Sequence, residues 1–299
     1  MTIRYIDLFE GSRPLGRYDV PQQVTSTDGR IFHLDGAAKT GGNGVVFEAR
    51  EFGVGDVTGK PRAVKFLKQL SQARIDRFHN EIRVLKELNS PYISSHFASG
   101  ASDVQLPGPT TLTREIPWVA IQMGAANMRQ HVEDHGPLSL AQLKSTTFGL
   151  CAAIEHLHEK GFIHRDIKPD NFVWRSATST APMMIDFGIA KRQGEDVSGR
   201  PMDTFTRVTE FVGPVFFSSP ELIEYSKNKA HPVDYRSDIF QLGKVLWYLG
   251  TGKVSAGVPS RKECPAQGKL RDLVLQMIDD DPDYRPQSIA AVRDAVNAV

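Results

Sequence analysis

Cysteine is scarce: Cys151 and Cys264 are the only two in 299 residues, far apart and outside any C-x-x-C spacing. That argues against a disulfide framework and a thiolate zinc site, and it predicts a reducing, cytoplasmic setting. An excess of either charge is also missing. Lys and Arg number 36 against 35 Asp and Glu, a net charge of +1, which gives no general field for nucleic acid or an acidic membrane. No apolar run approaches the roughly 18 residues of a membrane-spanning helix. The opening MTIRYIDLFEGSRP meets charge at Arg4 and has no apolar core, so it does not read as a signal peptide, and the closing DAVNAV has no cysteine to prenylate. Neither an internal repeat nor a low-complexity tract is found. What is present is 40% hydrophobic, 24% charged and 9% aromatic, the profile of an ordinary folded protein. At roughly 150 residues per domain it predicts about two globular units.

Residues 1–30 are broken by Pro14, Pro21 and the Asp28-Gly29 turn signal, and read as a flanking segment followed by a hairpin. From 31 to 66, β-type stretches (Ile31–Leu34, Val45–Ala49, Ala63–Phe66) alternate with Gly-rich turns, which predicts an antiparallel sheet. Ala73–Asn89 places Ile75, Phe78, Ile82, Leu85 and Leu88 near helical period. Ser99–Pro117, rich in Gly, Ser, Pro and Thr, reads as a loop before a strand over Trp118–Met123. Helices are predicted over Ser139–Lys160, Asp238–Leu249, Leu270–Asp279 and Ser288–Val296. A β-rich first third and an α-rich remainder make the class α+β with two packed parts.

The chemistry concentrates in HRDIKPDN at 164–171 and IDFG at 185–188. Phosphoryl transfer from ATP needs a carboxylate near the acceptor hydroxyl, a cation on the γ-phosphate and oxygen ligands for magnesium. Asp166 can take or orient the hydroxyl proton, Lys168 can neutralise phosphate charge, and Asn171 and Asp186 can hold metal. A β-hairpin of Phe172–Trp174 and Met183–Ile185 would carry them to one point.

These two motifs resemble the catalytic loop and metal-binding segment of eukaryotic-type protein kinases, and Lys168 resembles the serine/threonine branch. The resemblance extends over about residues 31–297. It implies a bilobal fold: a small β-rich N-lobe at 31–123 and a larger helical C-lobe at 124–299, with ATP between them. Arg62-Ala63-Val64-Lys65 resembles the strand whose lysine grips the α- and β-phosphates, and the helix after it offers Glu81 as that lysine's partner. Gly41-Gly42-Asn43-Gly44 stands for the phosphate-covering loop, although Lys39 occupies its first glycine position. By resemblance Val46, Ala63 and Val173 would line the adenine slot, and Gln122 and Met123 would form the hinge. Either Ile121 or Ala120 is the bulk at the back of the pocket. Ser219-Pro220-Glu221, Asp238 and Arg285 match structural signatures in which Arg285 would partner Glu221.

The implied activity is ATP- and magnesium-dependent phosphorylation of Ser/Thr in protein substrates, autophosphorylation included, with manganese as an alternative metal. A non-catalytic pseudokinase would favour loss of Lys65, Asp166, Asn171 or Asp186, and all four are present. A small-molecule kinase of the aminoglycoside or choline type usually lacks Lys168, Pro220-Glu221 and Asp238. Two departures concern peptide placement: Pro214 stands where a threonine is usual, and the interval from Asp238 to Arg285 is short. Residues 186–221 should form an activation loop carrying Ser198, Thr204, Thr206 and Thr209, with Glu210 at the expected phosphosite as a partial phosphate mimic. Regulation is expected from that loop, the first thirty residues or another chain.

Overall fold

The computed structural model describes residues 5–40, 44–53, 58–106, 112–193, 214–255, 261–262, 264 and 268–298. The chain divides into two compact units, one of residues 1–86 with 94–123, the other of residues 87–93 with 124–299.

The first unit is built on a six-stranded antiparallel sheet. Its strands are β3 (Gln23–Thr25), β4 (Ile31–Thr40), β5 (Gly44–Phe52), β6 (Lys60–Leu67), β8 (Leu112–Ile121) and β7 (His96–Leu106), in that spatial order. Alternation drives the sheet: Val45, Phe47, Val64, Phe66, Trp118 and Ala120 are buried on one face. A separate hairpin, β1 (Tyr5–Glu10) with β2 (Arg13–Asp19), precedes it. One helix, α1 (Gln72–Glu87), follows β6 and carries the buried side chains Phe78, Glu81, Val84 and Leu85.

Two expectations are corrected here. Residues 1–30 contain three strands, and β3 pairs with β4 from Gln23↔His33 to Thr25↔Ile31, so the expected boundary at 31 cuts through the sheet. The predicted loop over Ser99–Pro117 is mostly the β7–β8 pair, in register from Ala98↔Ala120 to Leu106↔Leu112. Its Gly, Ser and Thr read as loop composition, but the long cross-strand ladder outweighs weak local propensity.

The second unit is mainly helical: α2 (Met128–His135), α3 (Leu140–Glu159), α4 (Pro220–Lys227), α5 (Arg236–Thr251), α6 (Gly268–Met277) and α7 (Ile289–Asn297). Its short strands are β9 (Phe162–Ile163) with β12 (Lys191–Arg192), and β10 (Phe172–Trp174) with β11 (Pro182–Met184). Ser139 opens α3 with a full capping box to Gln142, and Ser219 caps α4 ahead of Pro220. The central helix α5 buries residues on every side, from Ser237 to Leu249, and ends at Gly252 in the left-handed region (φ 69°). The helices α2 and α4 were not expected from sequence; each is only eight residues long, too short to show a sustained period. Cys151 lies within α3, its thiol pushed up to about 12 by burial, which makes it unreactive.

Candidate active site

In the first unit, β6 and α1 bring Lys65 and Glu81 together. Lys65 Nζ donates to both carboxylate oxygens of Glu81, at 2.8 and 2.7 Å. Both residues are buried, so removal of either would leave a desolvated charge. Strand pairing decides what shares the face with Lys65. Lys65 lies opposite Val46 on β5 and Val119 on β8, while Ala63 lies opposite Ile121. Directly opposed residues in antiparallel strands point to the same side, so Val46, Ala63, Lys65 and Ile121 share one face. Ala120 pairs with Val64 on the other face. Of Ile121 and Ala120, it is Ile121 that shares the Lys65 face.

Gly44 opens β5 opposite Leu67, where an added Cβ would sit 2.5 Å from the Phe66 carbonyl oxygen, so only glycine fits. Gly41, Gly42 and Asn43 lie outside the described residues, as do Ser198, Thr204, Thr206, Thr209 and Glu210. Gln122 donates its amide to the Ser95 carbonyl at 3.0 Å, which anchors the segment running to Met123.

In the second unit, Asp166 is the centre of a hydrogen-bonded cluster. Lys168 Nζ donates to both of its carboxylate oxygens (2.9 and 2.7 Å), and Asn171 Nδ2 donates to its Oδ2 (2.9 Å) and its backbone carbonyl (2.8 Å). Burial alone would lower the Lys168 pKa, but Asp166, with help from Asp186 and Asp170, leaves it raised and the ammonium charged. The loop is held from behind by α5. Asp238, fully buried, accepts from the amides of His164 and Arg165 (2.8 and 2.9 Å) and from His158 Nε2 (2.8 Å). Burial would raise the Asp238 pKa; the His158 hydrogen bond and the other donors outweigh it and hold it low. One turn further on, Gln241 Oε1 accepts from the Ile167 amide at 3.1 Å and its Nε2 donates to the Arg165 carbonyl at 3.3 Å.

Val173 lies on β10 beside the segment after Met123. Ala125 donates to the Trp174 carbonyl (2.8 Å) and Trp174 to that of Ala126 (3.1 Å). A Cβ on Gly124 would meet Val173 Cγ2 at 2.4 Å, so glycine permits this approach. Asp186 adopts φ 65°, a left-handed conformation that aspartate tolerates better than most residues.

The oxygen donors fit magnesium. The Asn171 amide nitrogen is committed to Asp166, which leaves its carbonyl oxygen as the atom able to ligate, and Asp186 adds a carboxylate. Among the described residues no cluster of three His, Cys, Asp or Glu could hold a metal by itself. Two protein oxygen ligands completed by substrate phosphates is the usual magnesium arrangement.

Sequence reasoning identified the paired Lys65–Glu81 and the Asp166, Lys168 and Asn171 cluster, and it expected Glu221 with Arg285. That last pair is bidentate, at 2.7 and 3.1 Å. It missed His158, Gln241 and Arg129, the last of which grips Asp170 through two nitrogens (2.7 and 2.9 Å). Gln241 was findable, since it stands one helical turn after Asp238 on the same face. Arg129 lies on the unrecognised α2 and gave no signal.

This combination of a β-sheet unit with a lysine–glutamate pair and a helical unit with an aspartate-centred loop is that of a protein kinase. Residues 39–295 match the family model of the protein kinase domain, and the chain belongs to that family. Kinase domains as a class use ATP and a divalent metal. The chain is 30% identical over 277 residues to "Probable serine/threonine-protein kinase PkwA" of Thermomonospora curvata, covering 86% of this chain and 33% of that protein. It is 28% identical over 235 residues to serine/threonine-protein kinase PknB of Mycobacterium leprae, covering 73% of this chain and 35% of that protein. The chain thus spans about a third of the length of these curated relatives. Among the described residues no helix is long and apolar enough to cross a membrane.

Proposed function

We propose that the chain is an ATP- and magnesium-dependent protein kinase that transfers the γ-phosphoryl group to serine or threonine hydroxyls of protein substrates, including its own. The observation that carries this reading is the Asp166 carboxylate held by Lys168 and Asn171, an acceptor oriented beside a cation. The serine/threonine assignment is supported by Lys168 and by the names of the relatives.

Lys65, fixed by Glu81, would bind the α- and β-phosphates. Asp166 would orient the acceptor hydroxyl and take its proton as the new O–P bond forms and the β,γ-bridging bond breaks, releasing ADP. Lys168 would neutralise charge on the phosphoryl oxygens in flight. Asn171 and Asp186 would hold magnesium, or manganese in its place, which when bound supplies charge neutralisation at the phosphates. Most of the rate gain then comes from positioning and electrostatics. A cytoplasmic location, a regulatory partner, and the absence of nucleic-acid and membrane partners belong to the same reading. So does the division of the kinase fold into an N-lobe ending at 123 and a C-lobe at 124–299.

The test is purified protein with labelled ATP and magnesium, alone and with generic protein acceptors. Wild type should place label on Ser or Thr, and Asp186→Ala should not. Wild type that binds ATP and never transfers label overturns the proposal.

A further inference from the structure

The β1–β2 hairpin lies outside residues 39–295, which match the protein kinase domain. Its place in the first unit is specific. Phe9 donates its amide to the Lys68 carbonyl (3.0 Å) and accepts from the Leu70 amide (2.8 Å), so one hairpin residue grips both sides of Gln69 in a parallel bridge. The gripped residues form the only covalent link between β6, which ends at Leu67, and α1, which starts at Gln72. Those two elements carry Lys65 and Glu81.

The grip is backed by packing. Ile6 and Leu8 of β1 are 1% and 0% exposed, and Tyr18 of β2 is buried against Phe66 at 6.4 Å between rings. The hairpin is thereby anchored to the sheet on one side and holds the linker on the other. The helix it feeds needs such an anchor. Of its 16 residues, Phe78, Glu81, Val84 and Leu85 are the buried ones, and its first turn has no acidic residue to complement the helix dipole. So narrow a buried stripe leaves the entry of the helix as a point at which its position can be set.

We infer that the N-terminal hairpin is a built-in clamp that sets the position of α1, with Leu8 and Phe9 acting as positioning residues for the Lys65–Glu81 pair. The inference rests on the kinase reading for its effect on activity, but not for its effect on α1.

The test uses the full chain. Leu8→Ala loosens the packing, and Phe9→Pro removes the donor to Lys68. Amide hydrogen exchange over Gln72–Glu87 is measured beside kcat and KM for ATP. Both variants should speed α1 exchange and raise KM for ATP by about tenfold, within the range by which remote packed residues modulate a site. Adding Phe9→Cys and Gln69→Cys to the Leu8→Ala chain, with the pair oxidised, should restore both readouts, and reduction should undo the rescue. Val292→Ala in α7 serves as a control of comparable Tm loss and should leave α1 exchange unchanged. The clamp is overturned if Leu8→Ala and Val292→Ala match in α1 exchange at equal Tm, or if the oxidised pair rescues nothing. Wild type that transfers no phosphate overturns the kinase reading instead, and the exchange data then decide the clamp alone.

Discussion

Asp238 holds the backbone of Arg165 in a conformation that arginine does not adopt unaided. Its carboxylate accepts from the Arg165 amide at 2.9 Å, and Arg165 sits at φ 68°, in the left-handed region. For a residue with a Cβ this costs about 1–2 kcal/mol. The adjacent amide of His164 is held by the same carboxylate at 2.8 Å. The turn so fixed aims the next residue, Asp166, whose carboxylate is the centre of the site.

Replacing Asp238 by Asn keeps the shape but exchanges one acceptor oxygen for a donor that faces a backbone N–H. The loss should be about 3–5 kcal/mol, as for other buried charge partners removed singly. With folded protein selected at low temperature, kcat should fall about tenfold or more while nucleotide affinity stays near wild type, because Lys65 belongs to the other unit. Urea denaturation and nucleotide titration check both parts. A variant with reduced nucleotide affinity and normal kcat would contradict the argument.

Arg285 is 1% exposed and clamps Glu221 with two nitrogens. Arg285→Ala should lower stability by about 3–5 kcal/mol, chiefly because Glu221 is left buried and unpaired. The double change Glu221→Leu with Arg285→Met should cost less than Arg285→Ala alone. Equilibrium unfolding of wild type and the two variants decides this, and a double variant less stable than Arg285→Ala would refute it.

Asp166→Asn should reduce kcat by about 10²–10⁴, the range for a lost general base, with ATP affinity preserved. Glu81→Gln acts differently. It removes the counter-charge from buried Lys65, so KM for ATP should rise, whereas Asp166→Asn leaves it unchanged. Steady-state kinetics in ATP separate the two, and a common effect on KM would show that the pair and the loop do not have distinct roles.

The site was legible where chemistry is local in the chain. Asp166, Lys168 and Asn171 fall within one short motif, so type and spacing alone brought them together. The Lys65–Glu81 pair came from the resemblance, supported by a helix whose period could be read. Asp238 was recognised by resemblance, but its grip on His164 and Arg165 spans more than seventy residues and no local pattern encodes it. Strands were missed where composition and pairing disagree. Ile6, Leu8, Tyr18 and Val20 alternate as strand residues should, yet Gly11, Pro14, Gly16 and Pro21 among them read as breakers. Which of Ala120 and Ile121 shares the Lys65 face could be read only from register, which is a property of two strands.

Acid should weaken the fold before it protonates the carboxylates. His96, on β7, is partly buried with no hydrogen-bond partner at Nε2 among the described residues. Burial, helped by the charges of Lys86 and Arg30, pushes its pKa down to about 4. The folded chain therefore keeps His96 neutral where the unfolded chain, at an ordinary value near 6.5, takes up a proton. Below about pH 6.5 the unfolded state binds more protons, so stability falls as pH drops toward about 4. One proton taken up by the unfolded chain alone gives at most about 1.4 kcal/mol per pH unit, and solvent screening of this half-exposed imidazole makes less than that the expectation. Fully buried His164 is shifted the same way by burial and adds in the same window. Urea unfolding at about pH 7 and about pH 5 should show His96→Gln losing less stability between the two than wild type. An identical loss in both proteins would place the acid sensitivity elsewhere.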